Sequence, residues 1–146
     1  MLDVTRQLTR ATENVPKFID PQTHKMLDWM VAGTYLAAAA FFARRHRGAA
    51  IAAALNGGAV LGATLMTDYD GDRRRPISFP VHGVIDAGQM AFAAAAPAMF
   101  GFQNRKEAIL FQVQAASEAG VIAATDWEAT AREEDVELPS RYRGVA

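Results

Sequence analysis

The feature that most constrains the fold is a stretch that occurs twice. One copy opens at His24-Lys25-Met26-Leu27-Asp28 and closes at Gly62 followed by Thr67-Asp68-Tyr69. The other opens at His82-Gly83-Val84-Ile85-Asp86 and closes at Gly120 followed by Thr125-Asp126-Trp127. Every matched pair lies 58 residues apart, and aligning 24–69 with 82–127 gives 12 identities over 46 positions without a gap. Matches of Ala on Ala are discounted, because an Ala-rich chain yields them by composition. His, Asp, Gly and the Thr-Asp pair remain, with Phe42/Phe100 and Arg47/Arg105. The polar matches gather at the two ends of each copy. A tandem duplication is therefore expected, and a repeat decides the architecture before any local signal does.

Charge placement then says what each copy is. No charged residue occurs between Gly48 and Thr67; Asp28 alone interrupts the run from Met26 to Ala43, and Asp86 alone the run from Gly83 to Phe102. A helix of a soluble bundle carries one apolar stripe and one charged face. These segments have no charged face, and at about 17–20 residues they match the thickness of a hydrocarbon core of roughly 30 Å. The expectation is an all-α, four-helix transmembrane bundle built from two tandem two-helix repeats, with helices over 25–44, 48–67, 81–101 and 107–126. A soluble Ala-rich bundle is the alternative.

The rest of the chain divides accordingly. Residues 1–23 read as a polar lead. Within it Leu2, Val4, Leu8, Val15, Phe18 and Ile19 could form an amphipathic piece, against the plainer expectation of a tail broken by Pro16 and Pro21. The first 20 residues hold Asp3, Arg6, Arg10 and Glu13 and no apolar run, so no cleavable signal is expected. Residues 24–127 form the membrane domain, and 128–146 an acidic, partly disordered tail. Net charge is −1 and no basic stripe occurs, which argues against nucleic acid. The absence of cysteine excludes disulfides, thiolate metal sites and Cys nucleophiles.

Two helices per copy place both copies in the same orientation across a bilayer. The Lys/Arg distribution favours a multi-pass protein of the plasma membrane with cytoplasmic termini. Trp29, Tyr69 and Trp127 fall on the terminus side, as an interfacial aromatic belt would. Gly58/Gly62 align with Ala116/Gly120, and small residues at this spacing let helices approach closely in lipid, within the chain or with an oligomeric or membrane partner. Asn56 and Gln114 are expected to hydrogen-bond between helices, and His46 to be solvated.

Ala96-Pro97-Ala98-Met99-Phe100-Gly101-Phe102 closes one helix before a short turn and a helix with a mid-span polar residue and Gly. This layout resembles the SPW-repeat membrane proteins over residues 24–127. Of the Ser-Pro-Trp signature Pro97 alone is present. The resemblance implies two helices per repeat, in one or two copies. It implies no activity, and no functional residue carries over from it.

The candidate site is a polar layer. His and Asp at i, i+4 share one helix face. A parallel repeat brings His24, Asp28, Asp68, His82, Asp86 and Asp126 to one level, with Gln89 and Glu118 deeper. Asp28 and Asp86 are expected in first turns, where the helix dipole favours an anion, and Asp68 and Asp126 at C-terminal ends, where it does not. Glu118 within an apolar span needs a partner or a proton. Three readings follow. The first is a structural, non-enzymatic or accessory module in which each His clasps an Asp. The second is a divalent metal on His24, Asp28, His82 and Asp86, or a haem held axially by His24 and His82. The third is a proton or small-solute path through Gln89 and Glu118.

Overall fold

A computed structural model describes residues 14–130. Four long helices dominate it: α1 (Pro21–Phe42), α2 (Arg47–Met66), α3 (Phe79–Met99) and α4 (Glu107–Ala124). Two two-residue strands, β1 (Thr67–Asp68) and β2 (Ile77–Ser78), pair in parallel between α2 and α3. Among the described residues, one helix, Arg47–Met66, is long and apolar enough to cross a membrane by length and composition, where the sequence suggested four. Of the amphipathic piece expected over Leu2–Ile19, residues 2–13 lie outside the described residues, as does the acidic tail beyond Thr130, and residues 14–20 form no helix.

The helices α1 and α2 each start on a side-chain cap, Asp20 for α1 and His46 for α2. The Asp20 carboxylate accepts the amide protons of Gln22 and Thr23, each at 2.9 Å, and Pro21 supplies a residue with no amide to satisfy. Hydrogen bonds from Thr23 hold the Asp20 carboxyl below its ordinary range. Pro21 thus begins the first helix rather than preceding it, and α1 opens four residues earlier than expected. His46, expected to be solvated, is half-buried and caps α2, accepting the Ala49 amide proton at Nδ1, 3.2 Å away. At the far end of α3 the chain stops in a left-handed turn: Gly101 has φ +70°, and the Phe102 amide donates to the Pro97 carbonyl at 2.8 Å. Pro97 therefore lies in the last turn of α3, where the helix ends.

The helices pack as two hairpins, α1 with α2 and α3 with α4. Their interior is built on alanine: Ala49, Ala52, Ala53, Ala93 and Ala96 have no exposed surface. Small side chains bring the backbones close. A Cβ on Gly57 would stand 2.9 Å from Tyr35 Cβ and 3.1 Å from the Leu36 amide nitrogen. Gly57, not Gly58 or Gly62, is thus the close-approach residue between α1 and α2. Gly58, Gly62 and Gly120 have open space where a Cβ would go, and Ala116 is exposed. Toward the end formed by the short turns, an apolar cluster of Phe42, Phe102 and Phe111 closes the core. Gln112, rather than Gln114, reaches across the second hairpin, donating to the Ala94 carbonyl at 3.1 Å.

Positions 58 apart make like contacts at the other end. Thr67 pairs with Ile77, and Thr125 forms an isolated parallel bridge with Ile19. Ile19 is buried, and the Asp126 amide donates to its carbonyl at 2.9 Å. Residues 17–23 are therefore part of the packed structure and not a loose lead.

The glycine geometry predicts opposite outcomes for neighbouring substitutions. Gly57→Ala is expected to destabilise the fold by about 1–3 kcal/mol through overpacking. Gly58→Ala should be neutral or stabilising by up to about 1 kcal/mol. Denaturation midpoints of the two variants against the parent check this.

Candidate metal centre

The parallel contacts at Ile19 and Ile77 fix the starts of α1 and α3 beside the ends of α4 and α2. One turn in from those starts, His24 and His82 meet in the interior, with ring centroids 5.4 Å apart at 86°. Both are 1% exposed. Asp28 and Asp86, one turn further along the same faces, are buried beside them.

The four side chains form a closed ring. His24 Nε2 lies 3.4 Å from Asp28 Oδ1 and 3.0 Å from Asp86 Oδ2. His82 Nε2 lies 3.0 Å from Asp28 Oδ2 and 3.2 Å from Asp86 Oδ1. In each case the shorter contact joins one hairpin to the other. One ligand atom from each of the four residues falls within 4.8 Å of all the others.

Two threonines decide which ring nitrogen faces the centre. Thr67 Oγ1 donates its proton to the Ala63 carbonyl and Thr125 Oγ1 donates to the Val121 carbonyl, each at 2.7 Å. A hydroxyl has one proton. Each oxygen must therefore accept from the imidazole it touches: His82 Nδ1–H to Thr67 at 2.8 Å, His24 Nδ1–H to Thr125 at 2.9 Å. With Nδ1 so committed, both Nε2 atoms point at the carboxylates. Holding the outer nitrogen by a hydrogen bond is how proteins orient a ligating histidine.

Aromatic rings seal the centre. Phe79, 1% exposed, stands 5.6 Å edge-on to His24 and 6.4 Å stacked with His82. Trp127 lies 4.8 Å from the His24 ring and Tyr69 5.5 Å from the His82 ring. These two face inward; Trp29, half-exposed, is the one of the expected aromatic belt that faces out. Gly83 makes room for the indole, since a Cβ there would stand 3.0 Å from three Trp127 ring carbons. At the matching place in the first hairpin Lys25 lies 5.5 Å over the smaller Tyr69 ring.

Tyr69 also supplies a donor. Its hydroxyl donates to Asp28 Oδ2 at 2.7 Å. Burial, then the charge of Asp28 and the hydrogen bond to it, raise the phenol above its ordinary value.

The expected six-residue layer is thus four residues. Asp68 is buried but turns away, accepting the Arg73 amide proton at 2.6 Å and fixing the tight 69–76 connection, where Arg73 has φ 58°. Asp126 accepts the Glu128 amide proton at 3.3 Å in the turn after α4. In the Thr-Asp pairs it is threonine that serves the centre. Asp28 lies beyond the first turn of α1, because the helix starts at Pro21, so histidine and tyrosine rather than the dipole hold its charge. Gln89 and Glu118 lie deeper than the ring, as expected, and make no hydrogen bond to it. Asn56, expected to bond between helices, is 2% exposed, and its amide lies beside the Tyr35 hydroxyl of α1. The arrangement does not suit haem: the carboxylates of Asp28 and Asp86 fill the space between the imidazoles that a macrocycle would need.

The chain matches no protein-family model, no curated protein and no solved structure.

Two substitutions probe the shell. Thr67→Val leaves His82 Nδ1–H unpaired and is expected to cost about 1–3 kcal/mol, with a changed tautomer of His82 visible in nitrogen chemical shifts. For Tyr69, a raised folded value means that its contribution to stability is complete below the unfolded pKa of about 10 and is lost as pH rises above it. Tyr69→Phe should therefore show a shallower alkaline loss of stability than the parent.

Proposed function

We propose that this protein is a small membrane-embedded helical bundle that binds one divalent first-row metal ion at His24, Asp28, His82 and Asp86. The observation that carries the metal reading is the ring of four N–O separations, 3.0–3.4 Å. Those separations use both oxygens of each carboxylate; one ligand atom from each residue lies within 4.8 Å of the other three, so a bound ion would draw them in to the ~3.3 Å edges of a tetrahedral site with ligands at about 2.0–2.1 Å. Each Nε2 also faces two carboxylates, and a single N–H cannot donate well along both directions. A central cation can serve all four at once. Two carboxylates and a divalent ion sum to zero charge, which suits a buried site. Imidazole with carboxylate favours Zn, Mn or Fe over the hard alkaline-earth ions.

The membrane reading rests on the outer surface. Apart from Lys25, Arg47 and Glu107 near helix starts, Glu118 is the one Asp, Glu, Lys or Arg of the four helices that is not buried. The exposed positions are instead Met26, Met30, Leu36, Phe41, Ile51, Leu55, Leu65, Ile109 and Val113, among others. Charge gathers at the two ends: Arg44, Arg45, Arg105 and Lys106 at one, Lys17, Asp70, Asp72 and Arg73–Arg75 at the other. A helix of 20 residues is about 30 Å long, the thickness of a bilayer core. Tandem duplication of one hairpin accounts for the matched contacts 58 residues apart. We place the charged end that holds Arg73–Arg75 on the cytoplasmic side of the plasma membrane.

The second reading, a metal-free clasp of imidazolium and carboxylate, has the same geometry to support it, and metal analysis separates the two. Detergent-purified protein, or protein reconstituted with Zn, Mn or Fe, is expected to hold one ion per chain. The His24→Ala/His82→Ala double variant should hold none. A parent that refuses all three ions, with a double variant that is merely destabilised, would establish the clasp. Separately, the protein should stay with membranes through high-salt and alkaline washes and require detergent for release; release by either wash ends the membrane reading.

A further inference from the structure

At the end of the bundle away from the His/Asp ring, two short turns meet. Residues 43–46 join α1 to α2, and residues 100–106 join α3 to α4. A Cβ on Gly48 would run into the Phe100 carbonyl oxygen, and the His46 and Phe102 rings lie 5.8 Å apart. Arg47 and Arg105, matched in the two copies, come one from each side of this seam.

Charge is shared unevenly between the two ends. Residues 43–48 and 100–107 hold five cations, Arg44, Arg45, Arg47, Arg105 and Lys106, against one carboxylate, Glu107. At the other end, residues 14–25, 67–76 and 125–130 hold five cations and six carboxylates. Cations there find acceptors within the chain. Arg74 Nε lies 3.2 Å from Asp72 Oδ2, Arg75 donates to the Thr67 carbonyl at 3.3 Å, and Lys17 donates to the Ala123 carbonyl. The five at the seam are all exposed, and among the described residues none has a carboxylate partner. Such a patch attracts an anion from outside the chain.

What lies just inside the cations identifies that anion. The Arg45 guanidinium sits 4.2 Å over the Phe41 ring, one turn inward. Phe41, Met99 and Ile109 are 59%, 64% and 63% exposed, and each lies within about one turn of a connection. An anion with charge at one end and hydrocarbon at the other meets both layers. A free phosphate, an acidic peptide or a nucleic acid would leave the apolar layer uncovered.

We propose that this end of the bundle binds the headgroup of an anionic phospholipid, with Arg47 and Arg105 on the phosphate and Phe41, Met99 and Ile109 along the acyl chains. A guanidinium matches two phosphate oxygens with a fork of N–H donors. Clustered Lys and Arg beside a membrane helix attract anionic lipid. The surface rests on the membrane reading, but neither on an ion at the His/Asp ring nor on which end faces the cytoplasm.

The test is native mass spectrometry of the detergent-purified protein with phosphatidylglycerol and phosphatidylcholine, of equal chain length, added at equal concentration. The parent is expected to retain phosphatidylglycerol over phosphatidylcholine by at least about fivefold. Arg47→Gln/Arg105→Gln should remove most of that preference, and Arg47→Lys/Arg105→Lys should keep most of it. Lys17→Gln/Arg74→Gln, which removes two cations at the other end, should leave it intact. Equal retention of the two lipids by the parent overturns the proposal, as does equal loss in the two Gln double variants. Displacement of the lipid by inorganic phosphate at the same concentration also overturns it, since the acyl chains would then contribute nothing. A chain that needs detergent for release but shows no lipid preference loses this surface and keeps the membrane reading. A chain released by high salt, whose binding to phosphatidylglycerol vesicles still needs Arg47 and Arg105, keeps the headgroup site and loses the membrane span.

Discussion

The structure depends on one interaction, the exchange of partners between hairpins at the His/Asp ring. His24 of the first hairpin lies closest to Asp86 of the second, and His82 of the second lies closest to Asp28 of the first. A buried carboxylate or imidazolium left without its partner costs several kcal/mol. Neither hairpin can therefore bury its own pair comfortably alone. The surroundings follow from that need. Thr67 and Thr125 orient the rings, Tyr69 adds a donor to Asp28, and Phe79 with Trp127 excludes solvent. The threonines are also exchanged between hairpins, so the same docking both brings the histidines together and aims them.

The bundle is assembled with little conventional core. Alanine supplies most of its tightest contacts, and large apolar side chains such as Phe41, Met30 and Val113 point outward. In water this arrangement would expose far more apolar surface than a monomer usually presents. Under the proposed membrane reading lipid covers that surface, because helix association in lipid rests on close packing and polar contacts rather than on removing apolar surface from water.

Symmetry around the ring is good but it does not extend inward. The contacts of Ile19 with Thr125 and of Ile77 with Thr67 match, as do the two histidine–threonine bonds. Deeper, Glu118 falls opposite Val60 in the alignment, Gln89 opposite Val31, and Tyr35 opposite Ala93. Asn56, by contrast, falls opposite another amide, Gln114. The matched positions join the hairpins, while Tyr35, Gln89 and Glu118 stand at positions that do not match.

The sequence by itself determined the four helices, to within a few residues at most ends, because charge-free spans, caps and Gly/Pro punctuation act locally. It also picked out His24, Asp28, His82 and Asp86, since i, i+4 spacing puts His and Asp on one face wherever the helix lies. The tertiary structure alone decided which His meets which Asp, that threonine and not Asp68 or Asp126 completes the site, and that Gly57 rather than Gly58 or Gly62 is the close approach. Phe79 and Ile19 carried no signal beyond being apolar residues near a helix start. Those outcomes depend on how one hairpin docks on the other, and a relation between distant segments leaves no mark in the local pattern of either.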